Sequence, residues 1–379
     1  MLINQRNFFD LPDDITYLNC AAYSPLMNRV REAGIEGLDR KYHPWDLDLT
    51  QTPADAEHAR ALFAELIGAC ADDVAIIGST SYGIEVAARN LVISGGQKIV
   101  ILQDQFPSNV YSWRHLAAGS GAKLSVVPRP DDDDWTTVVL DHLDASVAIA
   151  ALPPCHWSDG SRVNLAVIGA RCRELGIAFV IDATQAIGAM HFDVSEIQPD
   201  FVACSAYKWL CCPYSLAFLY AAPHRQNGLP LEFHRWNHVS PQPTATKTGY
   251  PDTFNTGARR YDIGEVNNMI NLPMAVVALK QLAVWTPDAI QEYLRPLTDA
   301  VAEGATERGW RTPANDRRVG HYIGMRPPGE LSNDVVVRLQ AEYGVHVSQR
   351  GGAVRVSPHL YNDAADIEGF FQALDKVLA

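Results

Sequence analysis

From about residue 70 to residue 220, short apolar runs alternate with helix-length amphipathic stretches, which predicts a mostly parallel sheet covered by helices on both faces. The runs place strands at Val74 to Gly78, Ile99 to Leu102, Lys123 to Val127, Ser146 to Leu152, Ile177 to Ile181, Phe201 to Cys204 and Leu216 to Tyr220. Helices are expected between them at Tyr82 to Leu91, Asn109 to Ala118 and Leu165 to Leu175. A stretch rich in Pro, Thr and Gly from Ser240 to Gly257 breaks the rhythm and reads as a loop excursion. Helical patterns follow over Asn267 to Val284 and Pro287 to Arg308, then alternating strand and helix that ends in a helix over Ala364 to Leu378. The expected division is an amino-terminal segment, residues 1–16, a large α/β domain, 17–265, and a smaller α/β domain, 266–379. The first segment should pack on the last, because chain ends often lie close together.

Composition narrows the function classes. A chain of 379 residues, 47% hydrophobic and 20% charged, is long enough for one large core and a smaller one, so disorder is not expected. A net charge of -13 without any Lys and Arg cluster argues against a nucleic-acid partner. The acidic run Asp131 to Asp134 reads as a solvated loop. The opening MLINQRNFFDLPDD has no continuous apolar core, and no segment approaches the roughly 20 apolar residues of a membrane span, so a cytoplasmic address is expected. Seven cysteines lie in apolar stretches without Cys-x-x-Cys spacing, which favours buried free thiols over disulfides or a zinc site. His234 and His238 have no obvious third ligand, and no metal is expected; no G-x-S-x-G occurs to support a serine hydrolase.

Four local patterns carry candidate chemistry, each with a structural alternative. Lys208 follows the apolar strand FVAC and Ser-Ala-Tyr, and precedes apolar Trp-Leu-Cys-Cys. Desolvation there would lower its pKa and make it a nucleophile; a lysine snorkelling from a strand end is the other reading. Asp182 ends the apolar IAFVI, at the strand end where α/β sheets bind ligands. It is either a helix cap or the carboxylate that keeps a pyridine nitrogen protonated, as pyridoxal 5'-phosphate requires, with Gln185 available to the ring oxygen. The hydroxyls of Ser79, Thr80 and Ser81 open a helix and suit an anion such as phosphate, although such residues cap helices everywhere. Ser205 and Tyr207 could complete that cup. Arg355, in the alternating AVRVS after a glycine pair, either binds a carboxylate bidentately or makes a surface salt bridge.

Taken together and in order, these motifs resemble the class V aminotransferase family of fold type I pyridoxal-phosphate enzymes, over about Tyr17 to Asn362. YLNCAAYSP (17 to 25) resembles the family's opening and implies Asn19 and Ala22 beside a substrate carboxylate. STSYGIE (79 to 85) resembles its phosphate motif, implying Thr80 and Ser81, and DQFPSNVYSW (104 to 113) implies Phe106 stacked on the cofactor. DATQAIG (182 to 188) and SAYK (205 to 208) resemble the ring-nitrogen and Schiff-base motifs, and RGGAVRVSPHLYN (350 to 362) the carboxylate-binding segment. The resemblance implies a small amino-acid substrate, a mostly parallel seven-stranded sheet and a homodimer with active sites at the interface.

Departures from the family pattern narrow the reaction. No Cys follows Cys212, so the persulfide-forming nucleophile of cysteine desulfurases is missing, and Phe106 and Tyr207 stand where desulfurases use His. Glu265 occupies a position of RRYDIGEVNN (259 to 268) that many relatives fill with Thr for a neighbouring phosphate, leaving Asn267 or Asn268 as substitutes. In CHWSDG (155 to 160), His156 or Trp157 could line the substrate side, with a packed His as the alternative. The pattern implies an aminotransferase first. A β-eliminating carbon-sulfur lyase, an epimerase and a kynureninase-type hydrolase are alternatives, and a non-catalytic sensor module is the alternative of a different class. Loops at Tyr23, Lys41 to Asp48 and Trp236 to Ser240 are expected to choose the substrate.

Overall fold

The computed structural model describes residues 2–48, 51–239, 250, 252–332 and 334–379. Seven strands make the central sheet: β1 (Val74–Ile77), β2 (Lys98–Leu102), β3 (Lys123–Val127), β4 (Val147–Leu152), β5 (Ala178–Asp182), β6 (Phe201–Ser205) and β7 (Ala217–Ala221). Each lies within one residue of its expected position. Their order is β1-β7-β6-β5-β4-β2-β3, and all pairings are parallel except those of β7, which runs antiparallel to both neighbours. Alternate residues feed two cores: Val74 and Ile76 join one apolar cluster, Ala75 and Ile77 the other. Apart from the edge strand β3, where Lys123 and Val126 are exposed, the strands are covered on both faces and have no solvent side to demand alternation, which is why VAII and VAIAAL read as continuous apolar runs.

Helices α1 (Asn28–Tyr42) and α2 (Gln51–Leu66) precede the sheet. α3 (Thr80–Asn90), α4 (Tyr111–Ser120), α5 (Trp135–Asp141), α6 (Leu165–Leu175) and the short α7 (Val194–Ile197) connect its strands. After the sheet come α8 (Asn271–Trp285), α9 (Pro287–Glu307), α10 (Val335–Tyr343) and the terminal α11 (Ala364–Leu378). Between them β8 (Ile323–Met325), β9 (Ser348–Arg350) and β10 (Ala353–Val356) form an antiparallel sheet in the order β9-β10-β8. The amino-terminal segment lies on this last part of the chain. Thr16 and Tyr17 pair with Val345 and His346, Gln5 N–H donates to Leu360 O at 2.7 Å, and Phe8 and Phe9 pack on Trp285. Among the described residues no helix is long and apolar enough to cross a membrane.

Two expectations change. The acidic run is not a free solvated loop: Asp133 is buried against Arg129 and Arg311, and Asp134 caps α5 through Thr137 and pairs with Arg317. The helix expected from Asn267 starts at Asn271, because Asn268 Oδ1 accepts the N–H groups of Ile270 and Asn271 at 3.0 and 2.9 Å. Of the expected Ser240 to Gly257 excursion, residues 240–249 and 251 lie outside the described residues.

One buried ion pair ties the chain after the sheet to its edge strand. Arg60 of α2 makes a bidentate pair with Asp262 at 3.0 and 2.9 Å, and the same carboxylate accepts from Ile76 N of β1 at 2.7 Å. Removing one partner leaves the other charged and dry. Arg60→Leu is therefore expected to lower the unfolding free energy by about 3–5 kcal/mol, with much of it recovered in the Arg60→Leu, Asp262→Leu double variant, as read by urea titration.

Candidate active site

The carboxyl ends of β4, β5 and β6 and the loop after β2 meet at a cavity of about 300 Å³. It lies where the strand order turns from β4 to β2, the place at which α/β sheets bind ligands. β5 delivers Asp182, 7% exposed, whose Oδ1 accepts from Thr184 N at 3.1 Å. β6 delivers Ser205 and, three residues on, Lys208, 5% exposed and without an ion pair among the described residues. Its Nζ stands 5.2 Å from the Phe106 ring centre and 5.5 Å from that of Tyr207.

Burial dominates the electrostatics. It brings the Lys208 amine down to about 8, helped by the Arg355 guanidinium and opposed by Asp182. It also raises Asp182 above the usual carboxylate range, against the hydrogen bonds from Thr184. The cavity thus holds an amine ready to lose its proton and a carboxylate short of a cationic partner.

At the opposite end, Ser79 caps α3, accepting from Tyr82 N at 3.2 Å, and its hydroxyl lies 2.9 Å from that of Ser81. The hydroxyl of Thr80 is used elsewhere. It bonds Thr184 Oγ1 and Ser205 Oγ, each at 2.8 Å, joining the start of α3 to the ends of β5 and β6. Of the anion cup expected from Thr80, Ser81, Ser205 and Tyr207, all line the cavity, but Thr80 and Ser205 spend their hydroxyls on each other. Thr80 N and Tyr82 N donate to Ser205 Oγ and Ser79 Oγ at 3.3 and 3.2 Å, so the Ser81 N–H, with the Ser79 and Ser81 hydroxyls beside it, is what this end of α3 offers an anion.

Gln185 also lines the cavity, with its amide fixed at both ends. Nε2 donates to Ala21 O at 3.0 Å, and Oε1 accepts from Trp209 Nε1 at 2.8 Å, leaving one N–H. His321 Nε2 bonds its main-chain oxygen at 2.7 Å. Phe106 meets Trp157 edge-on at 5.4 Å, and Trp157 Nε1 donates to Asp104 O at 2.7 Å.

The remaining expected residues lie behind this wall. His156 is not on it: the ring stacks on Trp135 at 5.3 Å, with Nε2 on Gln103 O and Nδ1 beside Ser158 and Arg129. Burial lowers its pKa to about 4, so it is a neutral packed histidine, and its neighbour Trp157 is the residue that reaches the cavity. Arg355, 2% exposed, donates from Nη1 to Trp157 O at 2.8 Å, and its Nε has no partner among the described residues. Arg60 and Arg318, comparably buried, pair with Asp262 and Asp299; Arg355 pairs with no carboxylate among the described residues. Asn19 bridges Ser357, its Oδ1 buried without a partner, and Ala22 N donates to Asn19 O at 3.0 Å, so both flank the strand of Arg355.

Sequence reasoning passed over Thr184, Cys155 and Tyr214, all on the cavity wall. Thr184 sat inside a motif already singled out, whereas Tyr214 carried no signal. Tyr23, Tyr207 and Tyr214 form a cluster at the rim, with ring centres 5.4 and 4.6 Å apart along the chain of contacts. The expected loop at Lys41 to Asp48 does not line the cavity, and Ser240 lies outside the described residues. Glu265 is exposed with φ 57°, and Asn268 is committed to the start of α8.

Comparison with known proteins places this arrangement. The aminotransferase class-V family matches residues 16–370. Isopenicillin N epimerase of Streptomyces clavuligerus is 25% identical over 349 residues, covering 88% of this chain and 87% of that protein. Kynureninase of Deinococcus radiodurans is 28% identical over 309 residues, covering 79% and 73%. In fold, the crystal structure of the Escherichia coli cysteine desulfurase CsdA gives a TM-score of 0.83 at 20% identity, covering 98% of this chain and 97% of that one. The cystine C-S lyase C-DES, in complex with cysteine persulfide, gives 0.85 at 17%, covering 96% and 97%. With the family matched over nearly its whole length on a fold type I framework, the chain belongs to the class-V aminotransferase family of pyridoxal-phosphate-dependent enzymes.

Proposed function

We propose that this protein transaminates an α-amino acid, with pyridoxal 5'-phosphate joined to Lys208. The observation that carries the reading is Lys208 itself, a buried amine with its pKa drawn down to about 8 in a cavity that also holds Asp182. The residues present fit the cofactor. Asp182 wants a cation and suits a protonated ring nitrogen, Phe106 suits a ring face, Gln185 has one N–H for a ring oxygen, and Ser79, Ser81 and the start of α3 suit a phosphate. When bound, the cofactor supplies an electron sink for charge developing at the substrate Cα.

The remaining steps belong to the chain. Arg355, behind Trp157 and paired with no carboxylate among the described residues, is the group assigned to receive the α-carboxylate and fix how Cα is presented. Lys208 Nζ, neutral in a useful fraction near pH 8, takes the Cα proton and hands it on away from Cα, as formation of a keto acid requires. No histidine lines the cavity among the described residues, and Tyr207 is pushed up to about 12 by burial, so a second base for epimerisation is missing. A persulfide route fares no better. Cys155 is the thiol on the wall, burial pushes it up to about 12, and no Cys follows Cys212.

We include a homodimer in the proposal. Ile35, Leu38 and Tyr42 share one face of α1 and are 41%, 54% and 77% exposed, an apolar stripe that suits a second copy. Light scattering should give twice the mass of the chain; a monomer at micromolar concentration counts against this part.

Two measurements test the chemistry. Borohydride should fix a pyridoxyl group on Lys208, and an amino-acid panel should yield the keto acid without free ammonia. A colourless protein with no adduct ends the enzyme reading, pyruvate with ammonia moves it to a β-eliminating lyase, and an inverted Cα to an epimerase. Lys208→Met should lower turnover by roughly 10²–10⁴-fold.

The same substitution has a stability signature in the cofactor-free protein. The unfolded lysine titrates at its ordinary 10.5 and the folded one at about 8, so the unfolded state binds more protons between these values. Stability rises with pH across that window, and the cost of the buried amine is fully present below it. Lys208→Met should therefore stabilise the cofactor-free fold at pH 7 by roughly 3 kcal/mol, with the gain shrinking as pH approaches 10.5, as read by urea titration at both pH values.

A further inference from the structure

We infer that the amino acid taken by this site carries a second anionic group on its side chain, received by Arg350 while Arg355 holds the α-carboxylate. This rests on the reading of Lys208 and Arg355 just given. The first observation is register. In the antiparallel β9-β10 pair, Ser348 stands opposite Arg355 and Arg350 opposite Ala353. Opposed residues point to the same face, and so do residues two apart on one strand, so Ser348, Arg350 and Arg355 share one face.

That face lies on the turn that carries Trp157 into the cavity. Arg355 Nη1 bonds Trp157 O at 2.8 Å. Gly324 of β8, opposite Arg355, sits so close that a Cβ there would lie 2.7 Å from Asp159 Cα. At the hairpin tip, a Cβ on Gly351 would lie 3.7 Å from Ser158 Cβ, so the residue before it, Arg350, is held at the same turn.

The second observation is that these cations lack partners. Arg350 is half-buried, and its hydrogen bond goes from Nη1 to the adjacent Gln349 O at 3.1 Å. Among the described residues no carboxylate lies within ion-pair distance of Arg350 or Arg355, and the residues outside the description include no Asp or Glu. Neighbouring arginines are not left so: Arg326 pairs with Asp159 at 2.9 Å and Arg311 with Asp133 at 3.3 Å. Ser348 Oγ, on the same face, is buried without a partner.

Charge balance connects the two. Lys208 feels Arg355 and Arg350 as repelling cations and Asp182 as the attracting carboxylate. Arg350 and Arg355 are two guanidiniums that no carboxylate among the described residues balances. An α-carboxylate neutralises one of them, and a carboxylate or comparable acidic group on the side chain neutralises the other.

The test uses the purified holoenzyme and follows its visible cofactor absorbance during titration with aspartate and asparagine, glutamate and glutamine, and 2-aminoadipate and norleucine. At least one acid should half-saturate at about tenfold lower concentration than its neutral counterpart, and Arg350→Gln should bring that ratio to within about twofold. Borohydride trapping on Lys208 is run on both proteins and reports whether the variant still folds and holds cofactor. Should the glutamine variant lose the adduct, Arg350→Lys takes its place, with a reduced ratio and a retained adduct expected. An adduct in the wild type with no acid preferred over its counterpart, or a preference that survives loss of the Arg350 guanidinium, overturns this inference alone. Absence of the wild-type adduct overturns the underlying reading of Lys208 instead.

Discussion

The structure depends on keeping one amine dry. An isolated ammonium in a low-dielectric interior is expensive, and Lys208 answers by giving up its proton more readily than a lysine in water. Among the charges around it, the guanidinium of Arg355 adds more to that cost than Asp182 relieves. A fold selected for stability alone would put a carboxylate beside each cation, as this chain does for Arg60 and Arg318. It does the reverse for Lys208 and Arg355, neither of which pairs with a carboxylate among the described residues.

Such a site holds its shape only if the polar groups around it are fixed by the protein itself. Three links do this. The hydroxyls of Thr80, Thr184 and Ser205 join α3 to the ends of β5 and β6. Gln185 is clamped between Ala21 O and the Trp209 indole. Behind Trp157, Asp159 accepts from Arg129 at 2.7 Å and Arg326 at 2.9 Å, a charged network that spans the large sheet and the β8-β10 sheet. Rigid support of this kind is what a site needs when its binding groups have no partners of their own.

The sheet and the heart of the site were legible in the sequence for physical reasons. Buried parallel strands read as apolar runs, and a lone Asp or Lys at the end of such a run stands out, so β1 to β7, Asp182 and Lys208 were all readable. α1 and α2 were not anticipated. α1 carries glycines where it meets α8, and a Cβ at Gly34 would lie 2.7 Å from Met274 Sδ, so the close contact that needs glycine also erases the helical pattern. His156 misled because sequence shows a titratable residue next to the cavity motif but not which way its ring turns. Its stacking on Trp135, 21 positions earlier, decides that, and spacing does not encode it. The run Asp131 to Asp134 misled for a related reason, since its partners Arg311 and Arg317 are remote in sequence.

Arg355 shows how a residue can be easy to find and hard to interpret. Its alternating strand and glycine pair were plain, yet a surface salt bridge was as natural a reading as a binding role until burial and the lack of a carboxylate were known. An exposed arginine without a partner means little, because water solvates it at no cost. At 2% exposure the same absence implies a large unmet solvation demand, which a bound anion satisfies. The demand is also selective. If Arg355 takes the proposed role, a neutral ligand would leave its guanidinium without a counter-charge, and discrimination against uncharged analogues would follow from the buried charge without any further contact.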